Sequence, residues 1–359
     1  MPLRDISWEA FQALDLEQKA PYLMAGGRPS HVLIAQQFDR GALDGLGSLT
    51  TQIRRIAKDR AGAAFLSGLL SDKRAMLFFT QPSSRTFLSH LAACQILGMQ
   101  TGEVRDPTTS SEVKGESRDD SVRTFSSYFD LIIMRSKERG LAERTAWVLS
   151  NSERPIPVIN AGSGPDQHPT QALLDIYTLQ RSFESDGGMQ NKRIVFVGDL
   201  ARGRTVRSLA VLLAEYEGVH LVFSAPEAYQ ISDDILNILN ARGVSYEVTG
   251  DFYGAIPDAD AIYMTRVQDE WDSDDENSVK VDISAYGLRV EDLERMKSSA
   301  VIMHPLPRRG EIPAEIDNDP RAKYWRQMRN GMWVRAALIA QIFGCEDSIR
   351  NYANGEGAA

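Results

Sequence analysis

Short apolar runs alternating with amphipathic stretches constrain the fold of this chain more than any other feature. The runs AMLFF at Ala75–Phe79, LIIM at Leu131–Met134 and PVI at Pro157–Ile159 read as buried strands. A second series follows at Ile194–Val197, His220–Phe223, Ser245–Val248, Ala261–Met264 and Val301–Met303. Between them, apolar residues recur at helical spacing through Phe87–Leu97, His168–Leu179 and Thr205–Tyr216. A strand that is apolar on both faces needs cover on both faces, and a parallel sheet flanked by helices supplies it. The expected fold class is α/β, with two doubly wound parallel-sheet domains. A chain of 359 residues exceeds one ordinary core of about 100–200 residues. The polar stretch Arg181–Gln190, with its glycine pair, marks a boundary between domains. The last helix, over Gly331–Phe343, is apolar on most sides and is expected to be buried. Trp8, Phe11 and Leu14 recur at helical spacing before Gly26-Gly27-Arg28-Pro29 breaks the pattern, so the first thirty residues read as an appended packing helix.

Composition narrows the possible functions. The formal net charge is −9, so the molecule as a whole repels nucleic acid and anionic membrane, and any anion must meet a local cluster of basic residues. The two cysteines, Cys94 and Cys345, lie in apolar helical patterns with no CxxC pair and no clustered histidines. They read as buried thiols in a reducing cytoplasm, and neither a metal nor a cofactor is expected. The acidic start, MPLRDISWEAFQALDLEQ, has no apolar leader core, and no run elsewhere is long enough to span a bilayer.

In doubly wound sheets ligands sit at the carboxyl ends of the strands, and the unusual residues fall there. After AMLFF comes Thr80-Gln81-Pro82-Ser83-Ser84-Arg85-Thr86 and then a helix. A helix start offers unpaired N–H groups; three hydroxyls and a guanidinium add a phosphate cradle made without glycine. An ordinary cap needs only one hydroxyl. LIIM ends in Arg135. PVI runs through the glycine-rich Asn160–Gln167 loop to His168 at a helix edge, with Gln171 one turn on and facing the same side. IVFV leads to Gly198–Thr205, G-x-x-x-x-G-R-T, one substitution from a nucleotide phosphate loop but lacking its lysine. AIYM ends in Thr265-Arg266-Val267-Gln268, and VIM ends in His304-Pro305-Leu306-Pro307-Arg308. Arg85, Arg135, Arg204, Arg266 and Arg308 thus concentrate cations at strand ends of an acidic protein, which predicts one small polyanionic substrate or two, one per domain.

These segments, in this order, resemble the aspartate/ornithine carbamoyltransferase family from about His31 to about Phe343. Ser83-Ser84-Arg85-Thr86 resembles the family's Ser-Thr-Arg-Thr signature. NAGSGPDQHPTQALLDIYTL, VGDLARGRTVRSLA, MTRVQ and HPLPR are similar to its aspartate-type segments. The resemblance implies an N-terminal extension (1–30) and a carbamoyl-phosphate domain (31–180) completed by a returning C-terminal helix (325–350). It further implies an aspartate domain (190–322) and a cytoplasmic homotrimer. It implies that the polar loop Ser110–Ser117 reaches a neighbouring subunit's site through Ser110 and Lys114. Under it, Ser83, Ser84, Arg85, Thr86 and Lys114 hold the phosphate. Thr86, Arg135 and His168 stabilise the carbonyl oxygen, and Gln171 binds the carbamoyl NH2. Carbonyls near Leu306 and Pro307 bind that group and the incoming amine, and Lys114, Arg204, Arg266 and Gln268 serve the acceptor. The implied partners are carbamoyl phosphate and L-aspartate, with no nucleic acid and no membrane.

Three positions depart from the family pattern: Gln81 stands where glutamate is common, Trp271 where a basic residue is common, and His90 where an aromatic residue is common. Losing the first two charges together avoids an unpaired buried ion, so Trp271 packing is expected to help hold the closed form; His90 reads as a packing change. The rival readings are a carbamoyltransferase with another amino-acid acceptor, a nucleotide hydrolase using Gly198–Thr205, and a silent paralogue.

Overall fold

The structure is a computed structural model that describes residues 2–105, 115–164, 167–266 and 284–355. The chain divides into two compact units, Met1–Leu174 with Gly331–Ala359, and Asp175–Asn330. In the first unit, β1 (Arg74–Phe79), β2 (Gln100–Val104), β3 (Leu131–Arg135) and β4 (Val158–Asn160) form a parallel sheet in the order β2-β1-β3-β4. Helices α1 (Ser84–Ile96), α2 (Arg118–Tyr128) and α3 (Leu141–Ser150) connect these strands. Strand β2 has no counterpart among the apolar runs. It pairs on one side only, and Gln100, Thr101 and Glu103 are exposed, so packing demands no apolar sequence there.

Helix α4 (Pro169–Phe183) follows β4. In the second unit, β5 (Arg193–Val197), β6 (His220–Ser224), β7 (Ser245–Thr249), β8 (Ala261–Met264) and β9 (Val301–Met303) form a parallel sheet in the order β9-β8-β5-β6-β7. Helices α5 (Arg204–Leu213) and α6 (Asp233–Ala241) link its first three strands, and α7 (Tyr324–Ile342) comes after β9. Both units are thus α/β with a doubly wound parallel sheet. The unit limits fall inside α4 and α7, where helical periodicity runs on without a break, whereas composition changes at Arg181–Gln190.

The core of the first unit joins Met76, Phe78, Ile132, Met134 and Val158 of the sheet to Ala146 and Leu149 of α3 and to Phe11 and Leu23 of the N-terminal extension. That extension is therefore built into the unit. Trp8 lies 6.1 Å from Trp147, whose Nε1–H donates to the Ile6 carbonyl at 2.9 Å, and Lys19 meets Glu143 at 2.7 Å. In the second unit, Val195, Val197, Ile262, Met264 and Ile302 pack with Phe252, Ile312, Ile316 and Tyr324. Cys94 is buried as expected, but Cys345 is half-exposed. Gly344, at φ +71°, turns the chain after α7 and carries Cys345 out to the start of the helix Glu346–Ala353. No helix of the described residues is long and apolar enough to cross a membrane.

The strand orders place one topological switch point in each sheet. Chain direction across the sheet reverses between β1 and β3 in the first unit and between β5 and β8 in the second. Crevices outside the carboxyl ends of such strand pairs are where ligands bind.

Candidate active site

At the switch point of the first sheet, β1 and β3 are in register at Phe79 and Arg135. The Arg135 carbonyl accepts the N–H groups of Thr80 and Gln81 at 3.0 and 3.3 Å, which holds the turn leading to α1. Ser83 is the N-cap of α1 but makes no side-chain cap bond; its hydroxyl lies 3.0 Å from the Thr86 hydroxyl. This is not the geometry of an ordinary serine cap, which would turn the oxygen onto an N–H of its own helix. Ser84 and Arg85 are exposed, while Thr86 is buried. The helix start therefore presents hydroxyls, a guanidinium and the positive end of the dipole together, as an anion requires.

Arg135 is buried beside this turn, and its Nη1 donates to the Ala161 carbonyl at 3.2 Å. The loop after β4 is organised by Asn160. The amide of Asn160 donates to the Leu33 carbonyl, while its Oδ1 accepts Gly162 N–H at 2.8 Å and the Ser163 hydroxyl at 2.9 Å. Gly162 has φ +106°, and a Cβ there would stand 2.4 Å from Arg135 Nη1 and 3.0 Å from His168 Cδ2. Arg135 and His168 thus meet over a glycine, although they come from different strand ends. Gln171, one turn into α4, is buried, as is His168.

Arg335, which no motif singled out, and His90, read from the sequence as a packing change, support this cluster. Arg335, in the apolar helix α7, is 3% exposed; it donates to the Ser89 hydroxyl of α1 at 2.5 Å and to the Thr170 hydroxyl of α4 at 3.4 Å. The available signal was the single arginine in the apolar stretch Gly331–Phe343, most of which lies in this helix. His90 is fully buried, and its Nδ1–H donates to the Thr86 carbonyl at 2.9 Å. Burial, with the charges of Arg335 and Arg135 nearby, drives its pKa well below the ordinary imidazole value, so the ring is neutral. His90 is thus a buttress under Thr86 as well as a packing residue.

At the switch point of the second sheet, Gly198 has φ +109°, and a Cβ there would fall 2.2 Å from the Thr265 carbonyl. That close approach lets Thr265 tie β8 to β5 through its N–H and hydroxyl, both donating to the Val197 carbonyl at 2.8 and 2.9 Å. Arg204 opens α5 and Arg266 follows Thr265, both half-buried. Inside the Gly198–Thr205 loop the carboxylate of Asp199, fully buried, accepts the N–H and Nε–H of Arg202. The Arg202 cation is thus paired with Asp199, and Arg204 stands where a nucleotide phosphate loop carries its lysine, which weighs against that rival.

The turn after β9 is held by His304, which is buried, and contains a cis Leu306–Pro307 bond. Leu306 has φ +56°, a conformation that costs a bulky residue about 1–3 kcal/mol and persists only where its surroundings enforce it. Arg308, grouped in the sequence with the ligand-facing cations, is instead committed to a bidentate pair with Asp317 and lies 3.3 Å from the Tyr324 hydroxyl. It is a structural ion pair that closes the turn. Ser110, Lys114, Gln268 and Trp271 lie outside the described residues. Gln81 is described: its Oε1 is buried with no partner among the described residues.

Two doubly wound units, each gathering basic and hydroxyl side chains at its switch point, define an α/β enzyme class built to hold small anions. The family model described as "Aspartate/ornithine carbamoyltransferase, carbamoyl-P binding domain" matches residues 30–181, and the one described as "Aspartate/ornithine carbamoyltransferase, Asp/Orn binding domain" matches residues 190–342. The chain belongs to the aspartate/ornithine carbamoyltransferase family. It is 41% identical over 311 residues to aspartate carbamoyltransferase 1, chloroplastic, of Pisum sativum, covering 86% of this chain and 77% of that protein. Among solved structures, it is similar to the catalytic subunit of M. Jannaschii aspartate transcarbamoylase, with TM-score 0.77 and 32% identity over 89% of this chain and 99% of that one. It is likewise similar to aspartate transcarbamoylase from Trypanosoma cruzi in complex with carbamoyl phosphate and aspartate, with TM-score 0.73 and 32% identity over 86% and 95% of the two chains.

Proposed function

We propose that this chain transfers the carbamoyl group of carbamoyl phosphate to the amino group of L-aspartate, giving N-carbamoyl-L-aspartate and phosphate. The observation that carries this is the meeting of Arg135 and His168 over Gly162, beside a helix start rich in hydroxyls. The neutral amine attacks the carbonyl carbon, a C–N bond forms, the C–O bond to phosphate breaks, and the amine proton leaves with the departing anion or solvent. What must be stabilised is the carbonyl oxygen as it becomes anionic. Thr86, Arg135 and His168 donate to it. Ser83, Ser84, Arg85, Thr86, Ser110 and Lys114 hold the phosphate. Gln171 and the carbonyls of Leu306 and Pro307 take the carbamoyl NH2. Lys114, Arg204, Arg266 and Gln268 hold the acceptor's carboxylates; an acceptor bearing a second ammonium would be repelled. No covalent nucleophile is needed, because most of the acceleration comes from bringing two mutually repelling anions into position.

The acting molecule is a homotrimer, with Ser110 and Lys114 supplied across a subunit contact, and it works in the cytoplasm at an early step of pyrimidine formation. Burial pushes the free Cys94 thiol up to about 12, so it is un-ionised and inert. The test is a colorimetric assay for carbamoyl-aspartate with purified protein against a panel of amino acids. Turnover with aspartate alone is expected; turnover with another acceptor and none with aspartate overturns the assignment. A phosphonate joined to aspartate through an acyl link should bind far more tightly than either substrate.

A further inference from the structure

We propose that His304 and Glu311 act as a positioning pair that fixes the Leu306 backbone at the carbamoyl group, an inference that rests on the carbamoyl-transfer assignment. Leu306, in the left-handed region, donates its N–H to His304 Nδ1 at 2.7 Å. A backbone N–H can only donate, so Nδ1 carries a lone pair and the ring proton sits on Nε2. That Nε2–H donates to Glu311 Oε1 at 2.6 Å. The ring is therefore neutral, and the close carboxylate is a hydrogen-bond acceptor, not the partner of an imidazolium. The other Glu311 oxygen accepts the N–H groups of Arg309 and Gly310, both at 3.0 Å. One carboxylate thus holds both ends of the turn that displays the Leu306 and Pro307 carbonyls. With three N–H donors on its two oxygens, Glu311 is held as the carboxylate, since hydrogen bonds to the charged form favour it.

The backbone of His304 is anchored as well. His304 N–H donates to Gln327 Oε1 at 3.0 Å, and Gln327 Nε2 donates to Asp175 Oδ1 at 2.7 Å. Asp175 Oδ2 accepts the Tyr263 hydroxyl at 2.7 Å. Gln327, Asp175 and His304 are all essentially without solvent exposure. A buried chain of bonds thus runs from Tyr263 on β8 through α4 and α7 to the turn. Asp175 lies on α4, the helix that also carries His168 and Gln171. Positioning of this kind matters because a carbonyl displaced by about 1 Å costs about 100-fold in rate.

Asparagine and glutamine at 304 separate the two bonds of the ring. In His304→Asn the amide oxygen stands where Nδ1 does and accepts the Leu306 N–H. In His304→Gln the amide reaches the Nε2 position, keeps Glu311 and leaves Leu306 unbound. The expected result is a kcat for His304→Gln about 100-fold below wild type at an acceptor KM changed by less than about threefold, with His304→Asn at least about tenfold faster than His304→Gln. A merely structural role lowers melting temperature and rate alike in both variants. Equal rates for the two, or a faster glutamine variant, overturn the inference. If His304→Gln does not fold, Glu311→Gln reads the same link; a folded Glu311→Gln with wild-type kcat is equally fatal. A wild-type protein silent with both substrates ends the activity assignment and this inference with it, whereas an active wild type with indifferent variants ends this inference alone.

Discussion

Gly162 leaves space that Arg135 and His168 both use. An alanine there meets the Arg135 guanidinium and the His168 ring, and it must also hold φ +106°. Gly162→Ala should lower kcat by about 100-fold through displaced donors, with a small change in aspartate KM, as steady-state kinetics will read. A variant with unchanged kcat would separate Arg135 and His168 from the chemistry. His31 gives a second residue-scale test. Its Nδ1 accepts the Val158 N–H and its Nε2–H donates to Ser150, and burial lowers its pKa from 6.5 to about 4. The unfolded chain takes up that proton below about pH 6.5, whereas the folded chain resists until about pH 4. The neutral ring's stabilisation is therefore complete above pH 6.5 and is lost as pH falls through about 4, a swing of about 3 kcal/mol. Asparagine keeps the acceptor toward Val158 and cannot titrate. Melting curves of His31→Asn across that window should be flatter than wild type, and parallel curves would refute the assignment.

Among the elements, α7 carries the informative departure from pattern. An apolar helix needs no arginine, yet Arg335 there joins Ser89 of α1 to Thr170 of α4. Arg335→Leu deprives the buried Thr170 hydroxyl and the half-buried Ser89 hydroxyl of this donor, at a cost of about 1–3 kcal/mol. The variant should melt lower and saturate with carbamoyl phosphate at higher concentration, and normal saturation in a folded variant would confine Arg335 to stability. Strand β2 shows why elements are read unevenly. Strands buried on both faces must be apolar and are visible, whereas an edge strand with exposed Gln100, Thr101 and Glu103 obeys no such rule. The N-terminal helix was visible because Phe11, at 0% exposure, belongs to a core.

For the molecule as a whole, membership of the family and a net charge of −9 fit an enzyme that gathers basic side chains at strand ends to meet anions. If Lys114 is lent to a neighbouring subunit, Lys114→Ala and His168→Ala should each be nearly inactive as pure proteins. Mixing them with exchange of subunits should restore activity, since some sites then receive both intact residues. A mixture as inactive as its parents would place Lys114 in its own subunit's site or outside any site. Sedimentation should report an assembly of three chains of 39.9 kDa.

By itself the sequence determined the layered architecture, because strands buried on both faces must be apolar and their helices must be amphipathic. It also marked Ser83–Thr86, Arg135, His168, Arg204 and Arg266, because hydroxyls and cations at strand ends have no packing reason to be there. Only the tertiary structure decided that Arg135 and His168 share the space above Gly162, that Arg308 is consumed by Asp317, and that His304 is a neutral ring between Leu306 and Glu311. Those outcomes depend on distances between residues far apart in the chain. Periodicity reports which face of an element is buried; it carries no information about which polar atom lies opposite.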